Sequence, residues 1–190
     1  RGEELMHDPS VVGTWARMEI ARAGSQVEGL SVFTVNFAAD GRGTLTQELV
    51  ALDARDQLAV VRDRTITLPL RWGVSVLSRD GKTATALVVE IEGSTTLLAY
   101  VRQGTSLGTV PVDGATGRIL GASQLFSPIA SWRTTFTGGA EALRQSLIGA
   151  RDLRQQLELN SLMQRTMRLG NDNLLMLRTM NAGFSGQFVF

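Results

Sequence analysis

The chain has no cysteine and only one histidine, His7, in 190 residues. A nucleophilic triad needs a base beside its nucleophile, and a zinc centre draws its ligands mainly from Cys and His. One imidazole supplies neither, so thiol, imidazole and soft-metal chemistry are excluded, and no metal and no cofactor is expected. The lack of cysteine leaves the compartment open, since cytoplasmic, periplasmic and virion proteins all tolerate it. An excess of charge is also missing: 19 basic and 18 acidic residues leave a net charge of +1. No summed field favours nucleic acid or an anionic membrane. Lysine is nearly absent, with Lys82 alone against 18 arginines. This reflects either a choice of forked guanidinium contacts or a GC-rich coding sequence. No apolar run approaches the roughly 18 to 20 residues of a membrane-spanning helix, and residues 1–10 lack the apolar centre of a signal peptide. A soluble or peripheral protein is expected. The start at Arg1 without methionine leads to the expectation that a leader or tag was removed.

What is present is alternation. Between residues 11 and 102, short runs of period two are interrupted by turn residues, with strands expected near 12–20, 30–37, 44–50, 58–62, 65–70, 72–78, 83–91 and 95–101. Asp40-Gly41 and Asp80-Gly81, each between two such runs, are hairpin signals because glycine accepts the positive φ of a tight reversal. Glu92-Gly93-Ser94 is a third turn. Pro69 has no N–H for a ladder, which places its strand at an edge or a kink. About eight strands at this spacing predict a small antiparallel barrel or sandwich.

Residues 103–137 are rich in glycine, and the stretch from Val110 to Leu120, through Asp113-Gly114, reads as one more hairpin on an arm lapped over the sheet. From residue 138 the period changes. Leu143, Leu147, Ala150, Leu153 and Leu157 fall within about 120° at 100° per residue, one face of an amphipathic helix. Beyond Glu158 the apolar positions move to nearly the opposite face, and a last short helix is expected over 173–181. The chain therefore reads as α+β: a flexible segment (1–10), an antiparallel β domain (11–102), a glycine-rich arm (103–137) and a helical extension ending in an aromatic tail (138–190).

Val11-Val12-Gly13-Thr14-Trp15 resembles the opening strand of the calycin superfamily, the lipocalins and their avidin-like relatives. Phe37-Ala38-Ala39-Asp40-Gly41 is similar to a second-strand hairpin of small lipocalin-like domains. The resemblance covers the N-terminal half. It implies that Trp15 plugs one end of a barrel, that Arg102 stacks on it, and that the interior takes a small apolar ligand. Trp15, Trp72 and Tyr100 are the candidate ligand-binding residues, with ordinary core packing as the alternative for each.

The acids Asp53, Asp56, Asp63, Glu90 and Glu92 form no calcium loop and, with aromatics at 6%, lack the platforms of a glycosidase cleft. They read as a solvated face, and Arg62, Arg64 and Arg71 as surface ion-pair partners of Asp56 and Asp63, with forked binding of a phosphate or carboxylate as the alternative. The richest functional signal lies at the C-terminus. Leu159, Met163, Met167, Leu175, Met176, Met180, Phe184, Phe188 and Phe190 present more apolar surface than one packed face needs, and methionine suits adaptable contacts. They are expected to contact neighbouring subunits, by helix exchange or strand addition, with packing of these helices across the mouth or flank of the sheet as the alternative. The chain is thus expected to be no enzyme but a structural or interaction subunit of a larger assembly, forming a homo-oligomer. The alternative is a calycin-like carrier of a small apolar ligand.

Overall fold

The computed structural model describes residues 6–128 and 139–150. Nine strands form one antiparallel sheet: β1 (Gly13–Ala23), β2 (Gln26–Phe37), β3 (Arg42–Leu52), β4 (Leu58–Val60), β5 (Ile66–Arg79), β6 (Lys82–Ile91), β7 (Ser94–Gln103), β8 (Ser106–Pro111) and β9 (Gln124–Phe126). The order is β1-β2-β3-β5-β6-β7-β8-β9, with β4 attached to β3. The ends of this path meet where Ala16 of β1 and Ser127 exchange two backbone hydrogen bonds, Ala16 N–H to Ser127 O at 2.8 Å and Ser127 N–H to Ala16 O at 3.0 Å. The result is a nearly closed antiparallel barrel rather than a sandwich, compatible with a calycin-like fold.

The turns follow their residues. Asp80 and Gly81 have φ of 51° and 77°, and Glu92 and Gly93 have the same pair of values. Two successive positive φ angles make the tight reversal whose twist matches that of the flanking strands. At Asp40-Gly41 the reversal spans Ala38 to Arg42, and Gly41 takes φ 83°. The separate runs at 65–70 and 72–78 are one 14-residue strand, β5. Its first half pairs with β3, and its ladder with β6 begins only at Arg71. Pro69 therefore lies opposite Thr44 with no β6 partner on its other side, so the expected edge is a local one. Gly43 is required by crowding, since a Cβ there would run into the carbonyl oxygen of Asn36 and stand 2.9 Å from Leu70 Cδ1.

The sheet does not stop at residue 102, because β8 and β9 continue it through the glycine-rich region. Between them the expected hairpin forms, with Val112 bridged to Ile119 and Asp113 N–H bonded to Arg118 O at 2.8 Å.

Period two sends side chains alternately to the two faces. Inward residues make the main core, including Trp15, Val35, Phe37, Leu70, Trp72, Leu87, Val89 and Leu107. Outward residues feed two smaller cores. One lies by the arm and holds Leu77, Ala86, Ala99, Val110 and Val112, with Ile119 packed against it. The other is covered by helix α1 (Gly139–Gly149), whose Leu143 and Leu147, followed by Ala150, are buried against Met18, Leu30, Val32 and Val50. Arg144 ties the helix to the β3–β4 turn by donating from Nη1 to Asp56 O at 3.1 Å, while Nη2 pairs with Glu141 at 2.6 Å. That ion pair holds the Glu141 carboxyl down at about 2. Among the described residues α1 is the only α-helix, and no helix is long and apolar enough to cross a membrane. Leu153, Leu157 and the helix expected over 173–181 lie outside the described residues.

Candidate functional site

One end of the barrel is shut by the segment preceding β1. Met6 O accepts a hydrogen bond from Val74 N–H at 2.6 Å, and the His7 ring tilts against Trp72 with centroids 5.0 Å apart. The Tyr100 hydroxyl donates to Asp8 Oδ2 at 2.7 Å, and Arg102 Nε donates to Ser10 O at 3.0 Å. Val11 is fully buried and its carbonyl accepts the Trp15 indole N–H at 2.8 Å. Residues 6–10, set apart in the sequence as a flexible segment, thus form a strap across the barrel end.

The Arg102 guanidinium lies over the Trp15 ring, 4.8 Å from its centroid, as the resemblance implied. Its Nη1 donates to the carbonyls of both Gly104 and Ser106. Burial alone would raise the Asp8 carboxyl. The hydrogen bonds from Tyr100 and Ser10, with the Arg102 charge, outweigh it and hold Asp8 below its ordinary value. Tyr100 is pushed up by burial and by its bond to Asp8.

The other half of the interior is not filled. A cavity of about 220 Å³ lies above the packed end. Its walls are Phe33, Val35 and Phe37 of β2, Leu45 of β3, Leu70 of β5, Leu87, Val89 and Ile91 of β6, and Leu98 of β7. Arg17, Thr96, Leu107, Thr109, Gln124 and Phe126 complete it. A cavity of ~150 Å³ lined by aliphatic and aromatic chains takes up benzene, and sites for drug-sized molecules measure ~300 to 1,000 Å³. This one suits a molecule little larger than a single ring.

Arg17 stands out among the lining. It faces Phe33 directly across the β1–β2 ladder, with its guanidinium carbon 4.4 Å from the ring centroid. Nη1 donates to Glu19 Oε2 at 2.8 Å. Nε is buried and has no acceptor, the one such side-chain atom among the described residues. A buried donor left unpaired costs about 1 to 3 kcal/mol, so it calls for an explanation.

The three aromatic candidates lie together in the main core, but none of them lines the cavity. Trp15 and Trp72 are 3% and 2% exposed in the packed end, where the Trp72 indole donates to Ala38 O at 2.8 Å. Tyr100 is spent on the strap.

The acids are scattered. Asp53 accepts the N–H groups of Gln57 and Arg55, which lower its carboxyl, and Glu92 forms the β6–β7 turn. Glu90 sits exposed, opposite Arg71 in the ladder. Arg64 pairs with Glu28 at 2.6 Å rather than with Asp56 or Asp63. Among the described residues no His, Asp or Glu cluster has the make-up of a metal site. A wider, open hollow of about 670 Å³ beside β4 shows only Ala59, Val60, Arg62 and Thr65 among its described lining, too little to define a site.

Sequence reasoning missed Arg17, Thr96, Thr109 and Gln124. For Arg17 a signal existed: it follows Trp15 by two residues, so a strand that turns the tryptophan inward turns the arginine inward too. The nine partner-contact candidates, Leu159, Met163, Met167, Leu175, Met176, Met180, Phe184, Phe188 and Phe190, lie outside the described residues.

Against known protein families, curated proteins and solved structures, the chain finds no match.

Proposed function

We propose that the barrel is a noncatalytic carrier or sensor that holds one small, largely apolar molecule in the half of its interior left open above Trp15 and Trp72. The observation that supports this reading is the cavity itself, about 220 Å³ with mostly aliphatic and aromatic walls in a barrel whose opposite end is packed and strapped. An apolar void of this size is a standing loss of packing contacts, and an apolar guest restores them. A binding role is favoured over an enzymatic one because Arg17 is the single titratable side chain among the described lining residues, so no acid–base pair faces a guest.

The test is ligand-observed NMR with benzene and with 1-hexanol, set beside the variant Leu98→Trp, which places an indole in the void. Saturable binding by the wild type, lost in a folded Leu98→Trp protein, supports the reading. Absence of binding, or binding equal in both proteins, overturns it.

A further inference from the structure

The polar lining of the cavity is not spread around the barrel. Arg17 is on β1, Thr96 on β7, Thr109 on β8 and Gln124 on β9. These four strands are consecutive around the wall, counting the Ala16–Ser127 closure. The opposite arc, β2, β3, β5 and β6, contributes only apolar side chains to the lining. Thr109 and Gln124 face each other directly in the β8–β9 ladder, and Thr109 is only 4% exposed.

A guest that merely filled the space would need no such division. One with a polar head and an apolar body would lie across it, head toward β1 and β7–β9.

The chemistry of the head follows from the donors. Arginine only donates, and threonine and glutamine can donate, so the arc suits an acceptor. Arg17 brings the only formal charge in the described lining, and its Nη1 bond to Glu19 leaves the other edge of the guanidinium unengaged: Nε lacks an acceptor and Nη2 makes no hydrogen bond among the described residues. Two parallel N–H groups on one edge of a guanidinium are the fork that a carboxylate accepts in bidentate fashion. Because Nε is buried, a carboxylate reaches this edge when the guanidinium swings off Glu19, whose side chain is 52% exposed, and shifts over the Phe33 ring.

Resting on the carrier reading above, the geometry points to a small amphipathic monocarboxylate as the ligand, with its carboxylate on the Nε–Nη2 edge of Arg17 and its body, about six carbons or one ring, against β2, β3, β5 and β6.

Titration calorimetry of the full chain with hexanoate, 1-hexanol and hexylamine tests this, repeated on Arg17→Met and on Thr109→Val. Methionine keeps the apolar stem of arginine and removes the fork. Thermal melts establish that each variant is folded. Should Arg17→Met fail to fold, Arg17→Lys replaces it, keeping the charge and losing the bidentate edge.

The expected result is one hexanoate site at least tenfold tighter than 1-hexanol, no measurable hexylamine, and a tenfold or greater loss of hexanoate affinity in Arg17→Met with 1-hexanol unchanged. Thr109→Val is expected to weaken hexanoate about threefold. Arg17→Lys is expected to weaken it at least threefold. Equal binding of hexanoate and 1-hexanol, or hexanoate binding indifferent to Arg17→Met and to Arg17→Lys, overturns the carboxylate assignment while leaving an apolar carrier in place. No binding of either ligand overturns both.

Discussion

The two ends of the barrel interior are built from the same strands and by the same alternation, yet they are filled in opposite ways. At the strapped end the inward positions carry the largest side chains, Trp15 and Trp72. Each indole N–H there has found a carbonyl, on Val11 and on Ala38. Toward the other end the same strands carry Arg17, Phe33, Leu45 and Leu98, all half-buried around an open volume. A barrel of this size is ordinarily filled by its own side chains. Here the filling is complete only where a strap from outside the sheet seals it, and the one buried side-chain donor without a partner among the described residues sits in the part that stays open. Close packing and open volume are thus divided between the two ends of one sheet.

The sharpest way to break this contrast is to remove bulk from each end in turn. Trp72→Ala takes away a side chain that is 2% exposed, together with its hydrogen bond to Ala38 O. It is expected to cost about 3 to 5 kcal/mol of unfolding free energy by urea denaturation. Phe33→Ala removes a ring that already borders empty volume, and roughly half that loss is expected because fewer packing contacts disappear. Equal losses at the two positions would mean that the ends are packed alike.

A filling substitution sharpens the same point with the opposite sign. Leu98→Trp is expected to raise the denaturation midpoint or leave it unchanged, by at most about 1 kcal/mol, because the indole enters the cavity rather than a packed interior. The same change made in a packed interior typically costs about 1 to 3 kcal/mol from forced rotamers. A loss of that size at Leu98 would show that the cavity closes in solution.

Much of this contrast was legible in the residues, and the part that was not has a definable cause. Period two along residues 30–37 and 83–91, with Asp80-Gly81 between its runs, is a local pattern, so the strands and their turns could be read directly. The helical stripe was legible for the same reason, and its described members Leu143, Leu147 and Ala150 are all buried. The cavity wall was not. Arg17, Thr96, Thr109 and Gln124 are separated by up to 107 positions and become neighbours only through barrel closure at Ala16 and Ser127. Aromaticity pointed instead to Trp15, Trp72 and Tyr100, the residues that fill space rather than surround it. The strap was missed because Met6 to Ser10 has no periodicity of its own and is held by bonds to Val74, Tyr100 and Arg102.

The strap supplies a smaller test. Tyr100→Phe removes the hydroxyl that donates to Asp8 Oδ2 and keeps the ring in the core. A hydrogen bond to a charged acceptor contributes more than a neutral one, but this pair is only partly buried, so a loss of about 1 kcal/mol is expected. If the strap seals the packed end alone, this variant leaves hexanoate and 1-hexanol binding unchanged, because Tyr100 and Asp8 do not line the cavity.

The smallest effect is also the most specific, because Tyr100 is the only tyrosine in the chain. Ultraviolet absorbance of tyrosinate therefore titrates the strap and nothing else. In the folded protein the phenol is raised above its ordinary 10.0, so the unfolded chain loses this proton first as pH climbs. The stabilising contribution is complete below 10.0 and disappears as pH rises from there toward the folded value. Asp8 has the opposite sign: its carboxyl is held below the ordinary 3.8, so its contribution is present above that value and is lost as acid protonates it. The acid limb is shared with Asp53 and Asp113, whose carboxyls are lowered by backbone N–H groups in their own turns, and with Glu141 beside Arg144. The alkaline limb is the discriminating one. Ionisation is expected to be delayed beyond 10.0 and then to coincide with loss of the strap, seen as a change in tryptophan fluorescence in a Trp132→Phe background, where Trp15 and Trp72 are the remaining emitters. A phenol titrating at its ordinary value, with no accompanying fluorescence change, would show that the packed end is not held by Tyr100 and would leave the indoles alone to account for its closure.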